Sequence, residues 1–483
     1  MSPELTIILG YITFFLYMAL LMGVGELLCK KTNLPKELIR KSQHILTSLS
    51  WLIGVLFFGP TIHIVIINFL GFILLTIATF TNILSSSERS DSKKSYGLMF
   101  FGLGTFLVIL YVVYFEESLF LVTGIPYYCL TLADGLAPII AKLCKKINTE
   151  IIKGKTLIGT LTVFIVSLTI IVLFNQILSL NYSLLFIIGL ASLCTILELF
   201  GYKGSDNLYI EIGMFGLILL NHYNLTTTPF LIAIILAPVV IIYSLKKKIL
   251  TLPASLWACI LSFSLSFFSG LPLFLTMIIL FVLSIVTNKI SRQITKEETT
   301  KEIRKLKQIA CVSIVTIIAS VIYYFTKNEV FNYIAFATII EQFLDSLASD
   351  IGRLSKGEPY DLFKGKIAKK GDSGAVSLLG LSSSFVAAIL VTLPIGFSYD
   401  FNFGILIIIA FASFLGTIFD SLFGSLLQAK FQCLVCNSNT EQINCCGQKG
   451  KKISGISFID NQTVNLLSSI TTAIITYLIF IIL

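Results

Sequence analysis

The chain has 483 residues, of which 56% are hydrophobic and 13% are charged, and its mean hydropathy is +0.92. Soluble globular domains do not carry so much apolar surface, so this composition excludes them and indicates a polytopic membrane protein. The net charge of +9 could suggest nucleic acid, but the basic residues cluster between apolar runs, which is typical of topology signals and lipid head-group contacts. We therefore expect the lipid bilayer as a partner, and no nucleic acid.

The apolar runs are continuous and about 20 residues long, which is the length of a transmembrane helix. We predict an all-α, polytopic integral membrane protein with about sixteen transmembrane helices. The first run lacks a basic leading segment and a small-residue cleavage site, so we interpret it as a retained span rather than a signal peptide. In chain order the predicted spans are 5–28, 43–59, 61–83, 98–115, 119–143, 156–178, 183–200, 207–223, 229–245, 252–269, 271–288, 308–326, 331–351, 374–396, 403–428 and 463–483.

The basic clusters follow the odd-numbered spans, and Lys327 is the one clear exception. Under the positive-inside rule this face is cytoplasmic and both termini lie outside. The connections on this face are also longer and more polar, so we expect the active sites to face the cytoplasm. The clusters are Lys30–Lys41, Arg89–Lys94, Lys142–Lys155, Lys246–Lys248, Lys289–Lys307, Arg353–Lys370 and Lys430–Lys452.

A motif in the fifth predicted span recurs in the thirteenth. Asp134-Gly-Leu-Ala137 is followed by a small residue, a base and a leucine at 141–143, and Asp345-Ser-Leu-Ala348 is followed by the same pattern at 352–354. Each motif leads through a basic loop to a small-residue segment that re-enters the membrane. These segments are Lys155-Thr156-Leu-Ile-Gly159-Thr160 and Lys370-Gly371-Asp372-Ser373-Gly374.

Two further acidic landmarks follow in the same order in both halves. Glu198 and Asp420 lie inside apolar spans, and Asp206-Asn207 and Asp460-Asn461 open the last span of each half. Ordered landmarks at matched positions indicate an internal repeat. We therefore predict two parallel eight-helix units, one at 1–225 and one at 226–483, the second with a cytoplasmic cysteine-rich loop at 429–462.

The acids inside the spans are candidate functional residues, because each costs a few kcal/mol to place in a membrane. The alternative for each is a buried hydrogen bond between helices. Carboxylates combined with lysines and Gly, Ser or Thr turns, in a chain with only three histidines, favour phosphoryl transfer, which needs positioning and charge neutralisation by Mg²⁺ and cations. Neither a Walker A sequence nor a kinase Gly-rich loop is present. A site within spans suggests a membrane-resident substrate such as a long-chain alcohol.

The first half resembles the phytol and dolichol kinase superfamily of membrane-bound lipid alcohol kinases, which generally use CTP. The resemblance covers roughly residues 30 to 220, and it departs from the family at Ala141 and Lys145, where glycines are usual. The matching residues are Arg40-Lys41-x-x-His44, Lys94-Ser-Tyr-Gly97, Asp134-Gly135-x-Ala137, Lys155-Thr156-x-x-Gly159-Thr160, Glu198 and Asp206-Asn207.

The second half, from about Leu250 onward, resembles the phytyl-phosphate kinase family. It departs from that family at Phe343, where asparagine is usual, and at Asp350, where glutamate is usual. The matching residues are Asp345-Ser-x-Ala348-Ser349-Asp350-Ile351-Gly352, Gly371-x-Ser373-Gly374-x-Val376-Ser377, Asp420-Ser421-Leu-x-Gly424-x-x-x-Gln428 and Asp460-Asn461-x-x-Val464-Asn465.

Together the two resemblances imply consecutive phosphorylations of an isoprenoid alcohol to its monophosphate and then to its diphosphate, with CTP, or alternatively ATP, as donor. The second acceptor is already an anion, so extra cations are expected around it. The candidate catalytic residues are Asp134, Lys155, Glu198, Asp345 and Asp420. The candidate nucleotide- and phosphate-binding residues are Arg40, Lys41, His44, Lys142, Gly159, Thr160, Arg353, Lys356, Lys370, Gly371, Ser373 and Gly374. The candidate Mg²⁺ ligands are Asp206, Asp350 and Asp460.

Four cysteines lie close together in the last predicted inner loop. Cys433-x-x-Cys436 is followed by Cys445-Cys446, and this spacing on a reducing face predicts a tetrahedral structural Zn²⁺ site rather than disulfides. A redox pair or unused thiols are the alternatives.

Two other classes of function remain open at this point. A CTP-dependent lipid kinase or cytidylyltransferase acting on a glycerolipid would need the same nucleotide, Mg²⁺ and lipid-facing site. A transporter built from two repeats would use intramembrane carboxylates to couple ions, although the acids here lie near the predicted cytoplasmic ends of the spans rather than at the midplane. The pattern leaves open the length and saturation of the prenol, the donor for the second step and the oligomeric state.

Overall fold

The computed structural model describes residues 2–81, 95–152, 154–295, 303–368, 372–399, 401–437, 439–441 and 443–482, with only the backbone for 397–399, 439 and 445. The chain divides into two compact units, Met1–Lys246 and Lys247–Leu483. Each unit is a bundle of helices with short antiparallel strands in its polar connections.

The first unit contains eleven α-helices within the described part of the chain. They are α1 (Pro3–Lys31), α2 (Lys36–Leu46), α3 (Ser48–Phe57), α4 (Ile62–Thr81), α5 (Gly97–Phe115), α6 (Gly124–Tyr128), α7 (Asp134–Leu143), α8 (Leu157–Ile177), α9 (Leu184–Leu199), α10 (Asp206–His222) and α11 (Thr228–Lys246). A two-stranded hairpin, β1 (Glu150–Ile152) with β2 (Lys155–Thr156), joins α7 to α8. The unit ends after α11, whereas the predicted domain boundary at 225/226 precedes that helix.

The second unit contains seven α-helices among its described residues. They are α12 (Leu252–Phe268), α13 (Leu271–Thr295), α14 (Leu306–Thr326), α15 (Glu329–Gly352), α16 (Leu378–Tyr399), α17 (Phe403–Leu426) and α18 (Asn461–Ile482). Strands β3 (Tyr360–Asp361), β4 (Lys366–Ile367) and β5 (Ala375–Val376) form a small sheet between α15 and α16, in the order β4-β3-β5. Between α17 and α18, β6 (Lys430–Gln432), β7 (Asn439–Thr440) and β10 (Lys451–Ser454) form a second sheet, and β8 (Asn444–Cys445) pairs with β9 (Gln448–Lys449).

The prediction of an integral membrane protein is confirmed. In the described part of the chain, eleven helices are long and apolar enough to cross a membrane. Five of the sixteen predicted spans do not reach that standard: those at α2–α3, α9, α10, α12 and α15. Helices α9, α10 and α12 have 16, 17 and 17 residues, and α15 carries Glu341, Asp345 and Asp350.

Two predicted spans contain interruptions that their apolar composition does not reveal. The span predicted at 43–59 is divided at Thr47, whose hydroxyl donates to the Gln43 carbonyl oxygen at 2.8 Å. The span predicted at 119–143 consists of two 3₁₀ turns, α6, a π-helical turn at Cys129–Ala133 and α7. Pro126 lies in α6 and has no backbone N–H to donate, so a regular helix through this segment would lack one of its backbone hydrogen bonds.

Helix α15 is the centre of the second unit. It packs against α13, α14, α16, α17 and α18, and the side chains of Phe336, Ile340 and Leu344 are fully buried. Because neighbours surround α15, its acidic residues Glu341 and Asp350 are buried against other helices.

Helices α8 and α16, which follow the strands in their units, begin with the same kind of cap and pack closely on the preceding helix. In the first, Thr156 Oγ1 accepts a hydrogen bond from Gly159 N at 3.3 Å, and a Cβ on Gly159 would lie 3.7 Å from the carbonyl oxygen of Ala137. Ala137 is three residues beyond Asp134. The small residue at this position therefore lets α8 approach α7 one turn from the acid.

The second unit repeats this arrangement at Ser377 and Gly380. Ser377 Oγ accepts from Gly380 N at 3.1 Å, and a Cβ on Gly380 would lie 2.6 Å from the carbonyl oxygen of Ala348, three residues beyond Asp345. In this cap and this contact Ser377–Gly380 resembles Thr156–Gly159. It follows the predicted Lys370–Gly374 segment, of which residues 370 and 371 lie outside the described residues. Val376 precedes the capping residue Ser377, whereas Lys155 precedes the capping residue Thr156.

Gly380→Ala should lower the stability of the protein, because the added methyl group would press on the backbone of α15. Overpacking of this kind costs about 1–3 kcal/mol, so the midpoint of thermal unfolding in detergent should fall. Gly216→Ala is the matched control, since Gly216 in α10 has open space around its missing Cβ. Equal midpoints for the two variants would contradict the close approach of α15 and α16.

Candidate active sites

The first site is built on an ion pair between α2 and α7. Lys41 Nζ lies 2.7 Å from Asp134 Oδ2 and donates to the Asp134 carbonyl oxygen at 2.9 Å. Both residues are buried, with 5% and 7% of their surfaces exposed. Gly135 makes room for this pair, because a Cβ there would lie 2.5 Å from Cγ1 of Ile45 on α2.

His44 lies on the same face of α2, one turn beyond Lys41. Its Nε2 is 3.5 Å from Asp134 Oδ2 and donates to the Leu130 carbonyl oxygen at 3.1 Å. Leu130 belongs to the π-helical turn that directly precedes Asp134, and such turns occur frequently at functional sites. The predicted residues Lys41, His44 and Asp134 are therefore in mutual contact.

A second charged group is centred on Lys155, the first residue of β2. Its ammonium group pairs with Glu198 Oε1 and lies 3.7 Å from Asp206 Oδ2. Burial alone would lower the pKa of Lys155, but the carboxylates of Glu198, Asp206 and Asp134 together raise it above the usual value. Lys155 therefore keeps its positive charge. Because Asp134 contributes to this effect, the Lys41–Asp134 pair and the group around Lys155 interact electrostatically.

Glu198 Oε2 and Thr160 Oγ1 are buried without a hydrogen-bond partner among the described residues. Unpaired buried acceptors are uncommon and indicate a position for water, an ion or a ligand. Oxygen donors of this kind suit Mg²⁺. Thr160 and the predicted Gly159 both lie in the first turn of α8.

The remaining predicted residues of the first unit lie apart from these charges. Arg40 pairs with Glu37 on its own helix at 2.7 Å, and Lys142 is exposed at the end of α7. The basic cluster at 89–94, including Lys94 of the family motif, lies outside the described residues.

The second unit brings Asp345 of α15 and Asp420 of α17 together. Their carboxyl groups are close enough to share a hydrogen bond, and Asp420 Oδ1 is otherwise buried without a partner in the described part of the chain. Two carboxyl groups in contact must share a proton or a cation to relieve their repulsion. Among the described residues, no lysine or arginine forms an ion pair with either of them.

Glu341, which the sequence motifs did not include, completes this second group. It lies one turn before Asp345 and accepts hydrogen bonds from Ser468 Oγ at 2.8 Å and Ser469 Oγ at 3.0 Å on α18. Gln342 Nε2 donates to Glu341 Oε2 at 2.7 Å. The four-residue spacing from Asp345 is the signal that could have identified it, because residues four apart share a helix face.

Asp350 and Asp460, the predicted Mg²⁺ ligands of the second unit, lie apart from the pair formed by Asp345 and Asp420. On α15, Asp350 is about 140° around the helix from Asp345, and it accepts from Asn288 Nδ2 of α13 at 2.8 Å. Asp460 accepts from the backbone N–H of Thr463 at 3.0 Å at the start of α18 and pairs with Lys307 at 2.5 Å on the surface.

The basic loop of the second unit rests on the end of α17. Ser373 donates to Glu441, and its carbonyl oxygen accepts from Lys430 Nζ at 2.9 Å. Gly374 has φ +80°, and a Cβ there would lie 2.5 Å from Ser425 N. Glycine is therefore required by packing on α17. Arg353 and Lys356 are exposed, while Lys370 and Gly371 lie outside the described residues.

Three of the four clustered cysteines converge. The Sγ atoms of Cys433, Cys436 and Cys446 all lie within 4.8 Å of one another, with Cys433 buried and the others exposed. The backbone turns at both ends of the cluster, since Asn437 N donates to the Cys433 carbonyl oxygen at 3.0 Å and Cys446 has φ +51°. The side chain of Cys445 lies outside the described residues.

These features define an integral membrane protein with a buried charged cluster in each of its two units. Residues 235–473 match the family described as integral membrane protein DUF92. The chain is also 30% identical over 143 residues to Protein PGR of Arabidopsis thaliana, across 27% of this chain and 49% of that relative. It thus spans about half the length of PGR.

A second relative is the uncharacterized membrane protein MJ0933 of Methanocaldococcus jannaschii. The identity is 23% over 187 residues, which cover 38% of this chain and 77% of the relative. No solved structure matches the chain.

Lys41→Met should destabilise the first unit, because it leaves Asp134 buried without its ion-pair partner, at a cost of about 3–5 kcal/mol. Adding Asp134→Asn should restore much of the loss, since a neutral amide needs no counter-charge. Arg40→Met is the control on the same helix, and its partly exposed pair should be worth about 1 kcal/mol or less. Thermal unfolding of the four proteins measures this, and a double variant as unstable as Lys41→Met would contradict the pairing.

Proposed function

We propose that the protein is a bifunctional membrane isoprenoid kinase, in which a unit similar to phytol and polyprenol kinases is joined to one similar to phytyl-phosphate kinases. The observation that carries the proposal is the buried cluster of Lys41, Asp134, Lys155, Glu198 and Asp206 among apolar helices. Paired cations and carboxylates of this kind suit phosphoryl transfer, in which the protein positions the reactants and neutralises charge.

In the first reaction the oxygen of the prenol forms a bond to the terminal phosphorus of the nucleotide, and the bond from that phosphorus to the departing nucleoside diphosphate breaks. The hydroxyl proton passes to a carboxylate oxygen, and Glu198 Oε2 is the candidate because it is buried without a partner among the described residues. Lys155 holds the phosphates. Asp134 is occupied by Lys41 and so acts by positioning that cation.

Magnesium fits the first site, and Asp206 is the carboxylate that would hold it, since Glu198 takes the proton. Its oxygen-donor set is the one that Mg²⁺ prefers, and the bound ion would neutralise phosphate charge. The predicted role of Asp206 as a ligand is thus retained.

In the second reaction the acceptor is a phosphate monoester, which as an anion needs no general base. Asp345 and Asp420 are the candidate Mg²⁺ ligands here, in place of the predicted Asp350 and Asp460, which lie against other partners. The similar positions of Gly159 and Gly380, each against a carbonyl oxygen of the preceding helix, support two repeated units.

The nucleotide donor is CTP, with ATP as the alternative. Both sites face the cytoplasm, in a protein with sixteen spans and both termini outside.

Asp134→Asn should block use of the prenol while conversion of prenyl monophosphate continues, and Asp345→Asn should make the monophosphate accumulate. Each variant should lose about a hundredfold or more in its own step, because a cation or metal ion is no longer held in place. Purified protein would be given CTP, Mg²⁺ and geranylgeraniol or its monophosphate, with products followed by mass spectrometry. Glu117→Gln and Glu358→Gln, which alter exposed carboxylates of the two units, are the matched controls.

Loss of the same step in both variants would contradict the division of labour. Absence of phosphorylated products from the wild-type protein would contradict the kinase proposal. Transfer of a cytidyl group would indicate a cytidylyltransferase, and ion-coupled uptake without product would indicate a transporter.

We also propose that Cys433, Cys436 and Cys446 hold a structural Zn²⁺ ion, with Cys445 as the fourth ligand. The purified protein should contain about one zinc per chain, and Cys433→Ser should lose it and loosen the 429–462 loop toward proteases. Cys144→Ser, which alters a thiol outside the cluster, is the control. Elemental analysis that finds no zinc in the wild-type protein would contradict this proposal.

A further inference from the structure

The first unit contains an apolar cavity of about 270 Å³ beside its charged cluster. It lies between α1 and α4, with α3 and α5 completing its wall. From Phe14 to Met22 it follows α1 over eight residue steps, which is about 12 Å along the helix. An elongated space of this kind suits a hydrocarbon chain.

Apart from Asn68, whose Nδ2 donates to the Ile64 carbonyl oxygen at 2.8 Å, the polar side chains in the wall are hydroxyl and indole groups that already have partners. The hydroxyl groups of Thr47, Ser50, Thr105 and Tyr127 all make hydrogen bonds within the unit. Trp51 Nε1 also donates to Thr123 Oγ1 at 3.1 Å. An occupant therefore finds apolar contacts and no unpaired donors among these groups, which favours a lipid tail over a polar head group.

One end of the cavity adjoins the charged cluster. Thr47 lines it and is one turn beyond His44 on the chain, and the ring of Phe101, another lining residue, is 5.9 Å from the His44 ring. Beyond the opposite end, Tyr11 of α1 contacts His63 of α4 at 3.3 Å. A chain in the cavity therefore has one end directed at His44 and Asp134.

We infer that this cavity holds the hydrocarbon tail of the acceptor alcohol and presents its hydroxyl end to the cluster around Asp134. The inference rests on the proposed function. It assigns the selection of the substrate's hydrocarbon tail to α1, α3, α4 and α5, which line the cavity. Gly71 of α4 lines the cavity, and a Cβ there would meet no atom within 4 Å. The absence of a side chain at 71 thus keeps the cavity open, and position 71 sets the length of tail that the unit accepts.

Gly71→Phe places a ring in the cavity from a position whose Cβ meets no other atom. Gly23→Phe is the matched control, because Gly23 also has open space around its missing Cβ but lies on α1 outside the lining. Gly71→Phe should lower kcat/KM for a twenty-carbon prenol by about tenfold or more and affect a five-carbon prenol much less. Gly23→Phe should change neither.

Binding can be measured without activity, because the chain has only two tryptophans. In a Trp257→Phe background the fluorescence reports Trp51, which lines the cavity. A long-chain alcohol brominated along its tail should quench this fluorescence saturably, and Gly71→Phe, but not Gly23→Phe, should abolish the saturable part.

The outcomes separate the two proposals. Saturable quenching without any kinase activity would leave the cavity assignment standing and overturn the proposed function. Kinase activity with equal quenching in Gly71→Phe and Gly23→Phe would overturn the cavity assignment. Equal saturable quenching by a brominated phospholipid would show a resident bilayer lipid and overturn it as well.

Discussion

The first unit depends on the neutralisation of a carboxylate inside apolar helices. An acid in a membrane helix costs a few kcal/mol unless it is paired, and Asp134 is paired with Lys41 at 2.7 Å. Several local features serve this contact. Helix α2 ends at Leu46 and is separated from α3 by Thr47, a π-helical turn precedes Asp134, and Gly135 leaves room for α2. These local features together allow the Lys41–Asp134 ion pair to form, and the rest of the first site is built around that pair.

The second unit handles its acids differently. Glu341 is surrounded by hydroxyl and amide donors from Ser468, Ser469 and Gln342. Val376 precedes the capping residue Ser377, whereas Lys155 precedes the capping residue Thr156. The basic residues predicted near these acids belong to the loop between α15 and α16. In that loop Lys364 Nζ lies 3.4 Å from Asp361 Oδ2. On our proposal the neutralising charge at Asp345 and Asp420 arrives with the ligand, as a metal ion, whereas the first unit supplies its own lysines.

Much of this architecture could be predicted from the sequence, because long apolar runs specify membrane helices and acids within them are costly enough to be informative. The motif residues Lys41, His44 and Asp134 were predicted as site residues, and the structure brings them together. The interruption at Thr47 was not predicted, because no proline or glycine marks it between Gln43 and Leu52. Glu341 was missed because no family motif includes it.

The re-entry segment of the second unit shows a different limit. Gly371–Gly374 resembled the Thr156–Gly159 segment in composition, but composition does not show which small residue faces the preceding helix. That depends on the length of the intervening loop, where β3–β5 are inserted. Asp350 lies about 140° around α15 from Asp345, and its contact with Asn288 depends on the packing of α13, which the sequence does not show.

On our proposal, a phosphoryl group is transferred to a lipid alcohol within this membrane protein. The most direct measurement uses CTP labelled at its terminal phosphate, incubated with the purified protein, Mg²⁺ and geranylgeraniol. The label should appear in the extracted lipid, first as a monophosphate and then as a diphosphate. Label found only in released pyrophosphate, or left in the nucleotide, would contradict the proposal.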